Sequence, residues 1–316
     1  MTAGAVQPAP VRGAAQHECQ LVDDDHQLRA AVTAVLQEAH LTGDVVRAGL
    51  PGWLVEELSA RYPGAALFPL ERTTFGREPD LIAGVRKRAG ELAPPRRLRL
   101  IGVVSGADAR DWEERCRCEA VTNLAYGTLP VSVHCFYDRR HVPASALDIA
   151  LATHPQLRTA EGRVANAGYR DPRAYLSGRP VIDEPLQRTA PLLDVVAAPS
   201  LPGLRHQLGD ALRGLAGSSD TEEDFHLAVS EIAANAFRHG TKPISARLWA
   251  SPDRLICTIT DSGTTYSDPL GGYRPAHGDD LSRGGMGLWL ARKLCDHVDL
   301  ITTGSSFTVR LVSVLR

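Results

Sequence analysis

Apolar positions in the first half of the chain recur in short alternating blocks. Gln20–Val22 reads as extended, and Gln27–Ala39 repeats apolar residues at helical spacing. Val45–Ala48 is a brief apolar run, Gly52–Arg61 is amphipathic, and Ala65–Leu70 is again a compact apolar run. Pro79–Ala89 reads as a helix with Pro79 suited to its first turn. Leu98–Val104 reads as a buried strand, Arg110–Tyr126 as a long helix and Val131–Phe136 as a strand. This alternation predicts an α/β domain, a parallel sheet flanked by helices. The pattern breaks between Thr153 and Pro172, at His154-Pro155, Gly162, Gly168 and Asp171-Pro172. Leu176–Ser200 is rich in proline and turn residues, with Val195–Ala197 as a short strand-like run.

The second half is patterned differently. Leu201–Leu215 and Glu222–His239 read as two helices, the second with Asp220 or Thr221 as its N-cap. Ile244–Ala250 and Arg254–Thr260 read as strands joined by a Ser-Pro-Asp turn. The Pro/Gly/Asp-rich stretch Ser262–Arg283 reads as a mobile loop. Gly287–Cys295 reads as a helix, and Val298–Thr302 with Ser306–Val312 as a closing hairpin. Segregated helices and strands predict an α+β sandwich. The expected organisation is therefore a disordered tail over 1–16, a first domain over 17–175, a linker over 176–200 and a second domain over 201–316.

Composition narrows the function classes. The 316 residues carry 35 Lys+Arg against 37 Asp+Glu, a net charge of −2, which argues against a protein that coats nucleic acid. Lysine occurs only at Lys87, Lys242 and Lys293, and none follows a glycine, so there is no G-x-x-x-x-G-K-[ST] phosphate loop. No stretch approaches the ~20 apolar residues that span a bilayer. Met1–Gln16 reads as an Ala/Pro/Gly tail rather than a signal peptide. Six cysteines in a chain of this length point to reduced thiols and a cytoplasmic protein. Cys116-x-Cys118, His134-Cys135 and His141 invite comparison with a zinc site. One-residue Cys spacing is not the usual hook, however, and on a helix Cys116 and Cys118 point to opposite sides.

Candidate chemistry concentrates in the second half. In Leu227-Ala-Val-Ser-Glu231-Ile-Ala-Ala-Asn235-Ala-Phe-Arg-His239-Gly, Glu231 and Asn235 lie one helical turn apart and project side by side. Asn235 offers a neutral oxygen suited to Mg2+, and Glu231 can take a proton from an attacking hydroxyl. Taken alone, the pair also reads as a polar stripe on an amphipathic helix. Leu255-Ile-Cys-Thr-Ile-Thr-Asp261-Ser-Gly263 is a strand ending in a carboxylate that can accept an adenine N–H2, with a glycine that admits the base. It also reads as a plain Asp-Ser-Gly turn. Arg283-Gly-Gly285-Met-Gly287-Leu opens a helix whose free N–H groups suit a polyphosphate. Gly304-Ser-Ser-Phe-Thr-Val-Arg-Leu is a last strand with hydroxyls near its start.

In this order, the motifs resemble the GHKL or Bergerat ATP-binding fold of gyrase, heat-shock chaperones and histidine kinases, over about Leu201 to Arg316. Within it the sequence resembles the anti-sigma serine/threonine kinase family. That resemblance implies Glu231 as general base and Asn235 as the Mg2+ ligand. It further implies Arg238 as a phosphate contact, Asp261 with Gly263 as the adenine reader, and Gly285 and Gly287 as the phosphate-side lid. Ser305 takes the final Ser/Thr position. The family's second box reads D-x-G-x-G, and Thr265 stands here in place of the second glycine.

In the first half, Glu119-Ala-Val-Thr-Asn123, Val133-His-Cys135-Phe-Tyr137-Asp138, Thr153-His154-Pro155 and Tyr169-Arg-Asp171-Pro172 resemble the MEDS sensory domain. This implies a RecA-like parallel sheet without a working phosphate loop. It also implies sensing of a small hydrocarbon-type ligand, with Tyr137, Asp138 and His154 either lining a site or holding sheet edge and turns. The expectation is a cytoplasmic anti-sigma-type transcription regulator. Its second domain binds ATP–Mg2+ and phosphorylates a Ser/Thr of an anti-sigma antagonist under control of the first. The implied partners are a sigma factor, a STAS-type antagonist and a second copy of the chain, with no direct nucleic acid and no membrane. A non-catalytic nucleotide-gated binding module and a sensor histidine kinase are the alternatives.

Overall fold

The computed structural model describes residues 15–70, 77–106, 108–264, 266, 268–273 and 286–315. The chain divides into two compact units, residues 1–76 with 81–178, and residues 77–80 with 179–316.

In chain order the first elements are β1 (Gln16–Val22), α1 (Asp25–Thr42), β2 (Val45–Leu50), α2 (Gly52–Ser59), β3 (Ala66–Pro69), α3 (Glu78–Gly90) and β4 (Leu98–Val103). They continue with α4 (Ala109–Ala125), β5 (Val131–Asp138), α5 (Ala144–Thr153), β6 (Gln156–Thr159), β7 (Gly162–Ala165) and α6 (Pro172–Ser177). The strands form one sheet in the order β3-β2-β4-β5-β1-β6-β7, parallel except for the β6–β7 hairpin. This is the expected parallel α/β architecture. Two stretches differ from the sequence reading. Thr153–Pro172, read as irregular, contains the β6–β7 hairpin, and β1 begins four residues before Gln20. Polar His17 and Glu18 lie inside β1, buried and paired with Glu119 and His134, so the strand carries no apolar alternation there.

The parallel order has a consequence for phosphate binding. The chain leaves β1 toward β2 on one side and returns beside it on the other only as β6, so the order reverses at β1. Ligands of open parallel sheets sit beyond the strand C-termini at such a point. Here that position holds the acidic run Asp23–Asp25. The Asp24 carboxylate caps α1 by accepting from Gln27 N at 2.7 Å, Arg139 pairs with Asp23 at 3.1 Å, and Arg140 pairs with Asp25 and Asp138 at 2.6 Å each. Carboxylates occupy the helix N-terminus that would otherwise receive phosphate.

The second unit contains β8 (Leu193–Val195), α7 (Leu201–Leu212), α8 (Ser219–His239), β9 (Ser245–Ser251), β10 (Arg254–Asp261), α9 (Gly287–Leu294), β11 (His297–Thr302) and β12 (Phe307–Val314). The strands form an antiparallel sheet in the order β11-β12-β10-β9-β8. One face carries the helices. Leu204, Leu208 and Leu212 of α7 and Phe225, Val229, Ile232 and Ala233 of α8 pack with Leu255, Cys257, Ile259 and Leu311 of the sheet. α8 starts earlier than its sequence predicts because Ser218, rather than Asp220 or Thr221, caps it, accepting from Thr221 N at 3.2 Å.

The stretch read as a linker is largely part of this unit. Beyond β8, residues 182–189 cover the other sheet face. Arg310 donates to Ile182 O and Gln187 Oε1 at 2.6 and 2.9 Å, Trp249 Nε1 donates to Thr189 O at 3.1 Å, and Arg254 pairs with buried Glu184 at 3.1 Å. Leu186 packs against Trp249, Ile256 and Val312. The proline and turn residues here cover a sheet face, work that needs no periodicity.

Candidate functional site

α8 is amphipathic. Its buried face anchors it to the sheet, and Glu231 and Asn235, both half-buried, sit at the edge of that face. Glu231 Oε1 lies 3.8 Å from Arg205 Nη2, whose guanidinium also donates to Ser230 O. Spacing on one helix gives no sign of Arg205, which arrives from α7. α9 begins against Asn235: an ideal Cβ on Gly287 would stand 2.3 Å from Asn235 Nδ2, closer than any real Cβ contact. Glycine at the start of α9 therefore lets its N-terminus meet the Asn235 amide, and the first and third motifs come together.

Asp261 ends β10 with its side chain buried on the helix-bearing face. Its Oδ1 accepts from Thr241 N at 3.2 Å and from Gly263 N at 2.6 Å, which ties the strand end to the segment after α8. A Cβ on Gly263 would stand 2.6 Å from the same oxygen. Beside Asp261 in the sheet register is Phe307, on which Tyr266 stacks with ring centroids 4.9 Å apart. Burial pushes the Tyr266 hydroxyl up to about 12. Arg238 is exposed in the last turn of α8.

Other expected residues fall elsewhere. Ser305 lies exposed in the turn between β11 and β12, its amide donating to Thr303 Oγ1. The hydroxyl nearer the Asp261 strand end is that of Thr308, within hydrogen-bond distance (2.9 Å) of Thr260, on the opposite sheet face. Gly285, Thr265 and residues 274–283 of the expected lid lie outside the described residues. Residues 268–273 are held to α9: Arg292 donates to Gly271 O at 2.8 Å and lies over the buried Tyr273 ring at 4.2 Å.

In the first unit, Tyr137 and His154 are fully buried around Glu119, which accepts from the Tyr137 hydroxyl at 3.2 Å. Asp138 accepts from Arg140, whose hydrogen bond holds its carboxyl below the usual range. These three residues hold the interior and the sheet end. A separate cleft of about 820 Å³ lies between α1 and the β6–β7 hairpin, lined by Gln27, Ala34, Glu38, Leu157, Arg158 and Arg163 among others. No described helix is long and apolar enough to cross a membrane.

Two family models match the chain: the histidine kinase-like ATPase domain over residues 196–313, and MEDS, the methanogen/methylotroph DcmR sensory domain, over residues 16–155. Curated relatives include serine-protein kinase RsbW of Bacillus subtilis, 33% identical over 135 residues, covering 39% of this chain and 84% of the relative. The proteins of the same name from Bacillus licheniformis and Bacillus velezensis are 36% and 35% identical. They cover 31% and 30% of this chain and 68% and 66% of their own lengths.

Proposed function

The chain belongs to the RsbW family of serine-protein kinases, and from that premise we propose that its second unit binds ATP with Mg2+ and phosphorylates a serine or threonine of a STAS-type anti-sigma antagonist. A sigma factor is the other partner, and the MEDS unit is the sensory input. The observation that carries the reading is the approach of Gly287 to Asn235, which sets a helix N-terminus, a neutral oxygen ligand and a carboxylate one turn away around one place.

Each residue then has a defined task. Asp261, held rigidly through Oδ1, orients adenine by accepting its amino group, and Tyr266 with Phe307 supplies an aromatic wall nearby. The backbone N–H groups at the start of α9, with Gly285 and Gly287, receive the phosphates. Asn235 contributes its oxygen to Mg2+, which when bound offsets phosphate charge while keeping several waters. Glu231 accepts the hydroxyl proton, with Arg205 as its cationic neighbour at 3.8 Å, and exposed Arg238 adds positive charge on the phosphate side. Ser305 remains the proposed hydroxyl contact of the last strand, reached from its exposed turn. Small ligands of the first unit enter the cleft between α1 and the β6–β7 hairpin.

The test uses the full chain, because a fragment starting at Leu201 would lose β8 and the cover of the second sheet. With radiolabelled ATP, wild type labels its antagonist, and Glu231→Ala lowers transfer by about 10²–10⁴-fold. Calorimetric ATP–Mg2+ affinity stays within a few-fold. Transfer indifferent to the substitution removes Glu231 as base. Wild-type ATP binding with no transfer to any antagonist selects the nucleotide-gated module, and no binding at all overturns the nucleotide site.

A further inference from the structure

We propose that the first unit holds a zinc-type divalent metal ion through His17 Nε2, Glu119 Oε2, Cys135 Sγ and His154 Nε2. The four residues come from β1, α4, β5 and the C-terminal end of α5, and none is more than 6% exposed. Their ligand atoms all lie within 4.8 Å of one another. Glu119 Oε2 stands 3.0 Å from His17 Nε2, 3.4 Å from His154 Nε2 and 3.5 Å from Cys135 Sγ, and Cys135 Sγ stands 3.6 Å from His17 Nε2. A tetrahedron with zinc–ligand arms of 2.0–2.3 Å has edges of about 3.3–3.6 Å. Three of the four separations given fall at these edges, and the shortest is 3.0 Å.

Hydrogen bonds around the cluster orient both imidazoles and the carboxylate. Asn123 Nδ2 donates to Thr153 O at 2.7 Å and to Glu119 O at 3.1 Å, so its Oδ1 is the atom facing His17 Nδ1 at 3.1 Å, and that nitrogen carries the proton. Thr153 Oγ1 donates to Ile149 O, which leaves Ala150 O at 2.8 Å and Thr153 Oγ1 at 3.1 Å as acceptors for His154 Nδ1–H. In both imidazoles Nδ1–H is held by the protein, so Nε2, which faces the Glu119 carboxylate, is the nitrogen left to hold a proton or a metal. This is the outer-shell arrangement that fixes metal-binding histidines. Glu119 repeats the pattern: Tyr137 occupies Oε1 and Oε2 faces the cluster.

Without a metal, protons shared with the Glu119 carboxylate hold these groups together, and a divalent ion would take the place of those protons. His154 Nε2 is buried and makes no hydrogen bond. Two imidazoles, one thiol and one carboxylate are a borderline-soft donor set, and four protein ligands with no open side make a closed, structural site. Metal entry would displace the Cys135 thiol proton as the sulfur–metal bond forms. The site is new to the sequence reading. Among the residues first compared with a zinc site, only Cys135 belongs to it, while Cys116 and Cys118 sit elsewhere on α4 and His141 is exposed.

The experiment uses the full chain, unfolded with chelator, freed of metal and refolded with Co2+ alone. Wild type is expected to bind one equivalent, with the intense tetrahedral ligand-field bands of cobalt and a thiolate-to-cobalt charge-transfer band, both lost on adding Zn2+. Asn123→Ala, which frees the His17 ring, should weaken Co2+ binding by about 10–100-fold. Cys135→Ser should remove the charge-transfer band, and His141→Ala should leave spectrum and stoichiometry unchanged. A wild-type spectrum of octahedral cobalt, or binding lost in His141→Ala, overturns the proposal. So does a thiolate band that survives Cys135→Ser. If Cys135→Ser does not fold, the wild-type spectrum alone decides, since protons can satisfy the cluster but produce no cobalt–thiolate band.

Discussion

The two units place their candidate-site side chains differently. In the first, a glutamate, two histidines, a cysteine and a tyrosine meet in the interior. On the other face of the same sheet Glu18 is buried against His134, Arg158 and Arg163. In the second, the helix-facing core is apolar, and Glu231, Asn235 and Arg238 stand at its rim, half-buried or exposed. Buried groups that satisfy one another hold a structure together. Rim groups such as Glu231 and Asn235 leave acceptor capacity open, which is where the proposed nucleotide and its metal would be met. A carboxylate inside the first unit and one at the rim of the second should therefore fail differently when removed.

Glu119→Ala and Glu231→Ala are the same substitution in the two settings. Removing one partner from a buried charged cluster typically costs about 3–5 kcal/mol, because the groups left behind stay desolvated and unpaired. Glu119→Ala should lower the thermal midpoint by on the order of 10 °C. Glu231→Ala, at a rim site outside the core, should change stability by no more than about 0.5 kcal/mol. Scanning calorimetry of both variants reads the contrast, and equal shifts would dissolve it. Gly287→Ala comes next in size. Its new Cβ would collide with the Asn235 amide, which must turn aside, at about 1 kcal/mol of stability and about tenfold in ATP affinity. Adding Asn235→Ala should recover most of the stability and none of the affinity, because the amide is the obstacle and, in the proposed function, also the ligand.

The contrast also explains what was readable in the sequence. Wherever apolar periodicity set the fold it was legible: the β/α alternation, the amphipathic α8, and the β9–β10 and β11–β12 pairs. The rim motifs were legible because Glu231 and Asn235 share one helix and Asp261 and Gly263 one strand end. The polar half of β1 was hidden, because His17 and Glu18 look like surface residues until their partners arrive from α4 and β5. The Glu119 cluster was legible only in pieces: Glu119, Cys135 and His154 stand in the quoted motifs, but their convergence with His17 joins four elements across 138 positions of sequence. Arg205, Arg292 and the covering segment 182–189 likewise act through tertiary contacts that no local spacing records.

The smallest expected effect tests the edge of the first unit, where the buried polar style gives way to an exposed hairpin. Burial pushes the Glu38 carboxyl up, but hydrogen bonds from Arg158 and Arg163 outweigh it and hold the carboxyl at about 2. Arg158 pairs with Glu38 and with Glu18 at 3.1 Å. Arg163 reaches Glu38 at 2.7 Å and Glu18 at 2.5 Å, so Glu38 on α1 helps fasten β6 and β7. An unfolded glutamate titrates near 4.3. A carboxyl whose folded value is depressed contributes stability that is full above the unfolded value and is lost as pH falls through the folded one. The contribution should fade between about pH 5 and pH 2. Because Glu38 remains about a third exposed, solvent screening limits it to about 1 kcal/mol or less. Glu38→Gln should flatten the urea midpoint against pH in that window and accelerate amide exchange in β6 and β7, leaving β2, β4 and β5 protected. If exchange accelerates equally in β2, β4 and β5, the hairpin is no separate edge and the interior cluster is what acid undoes first.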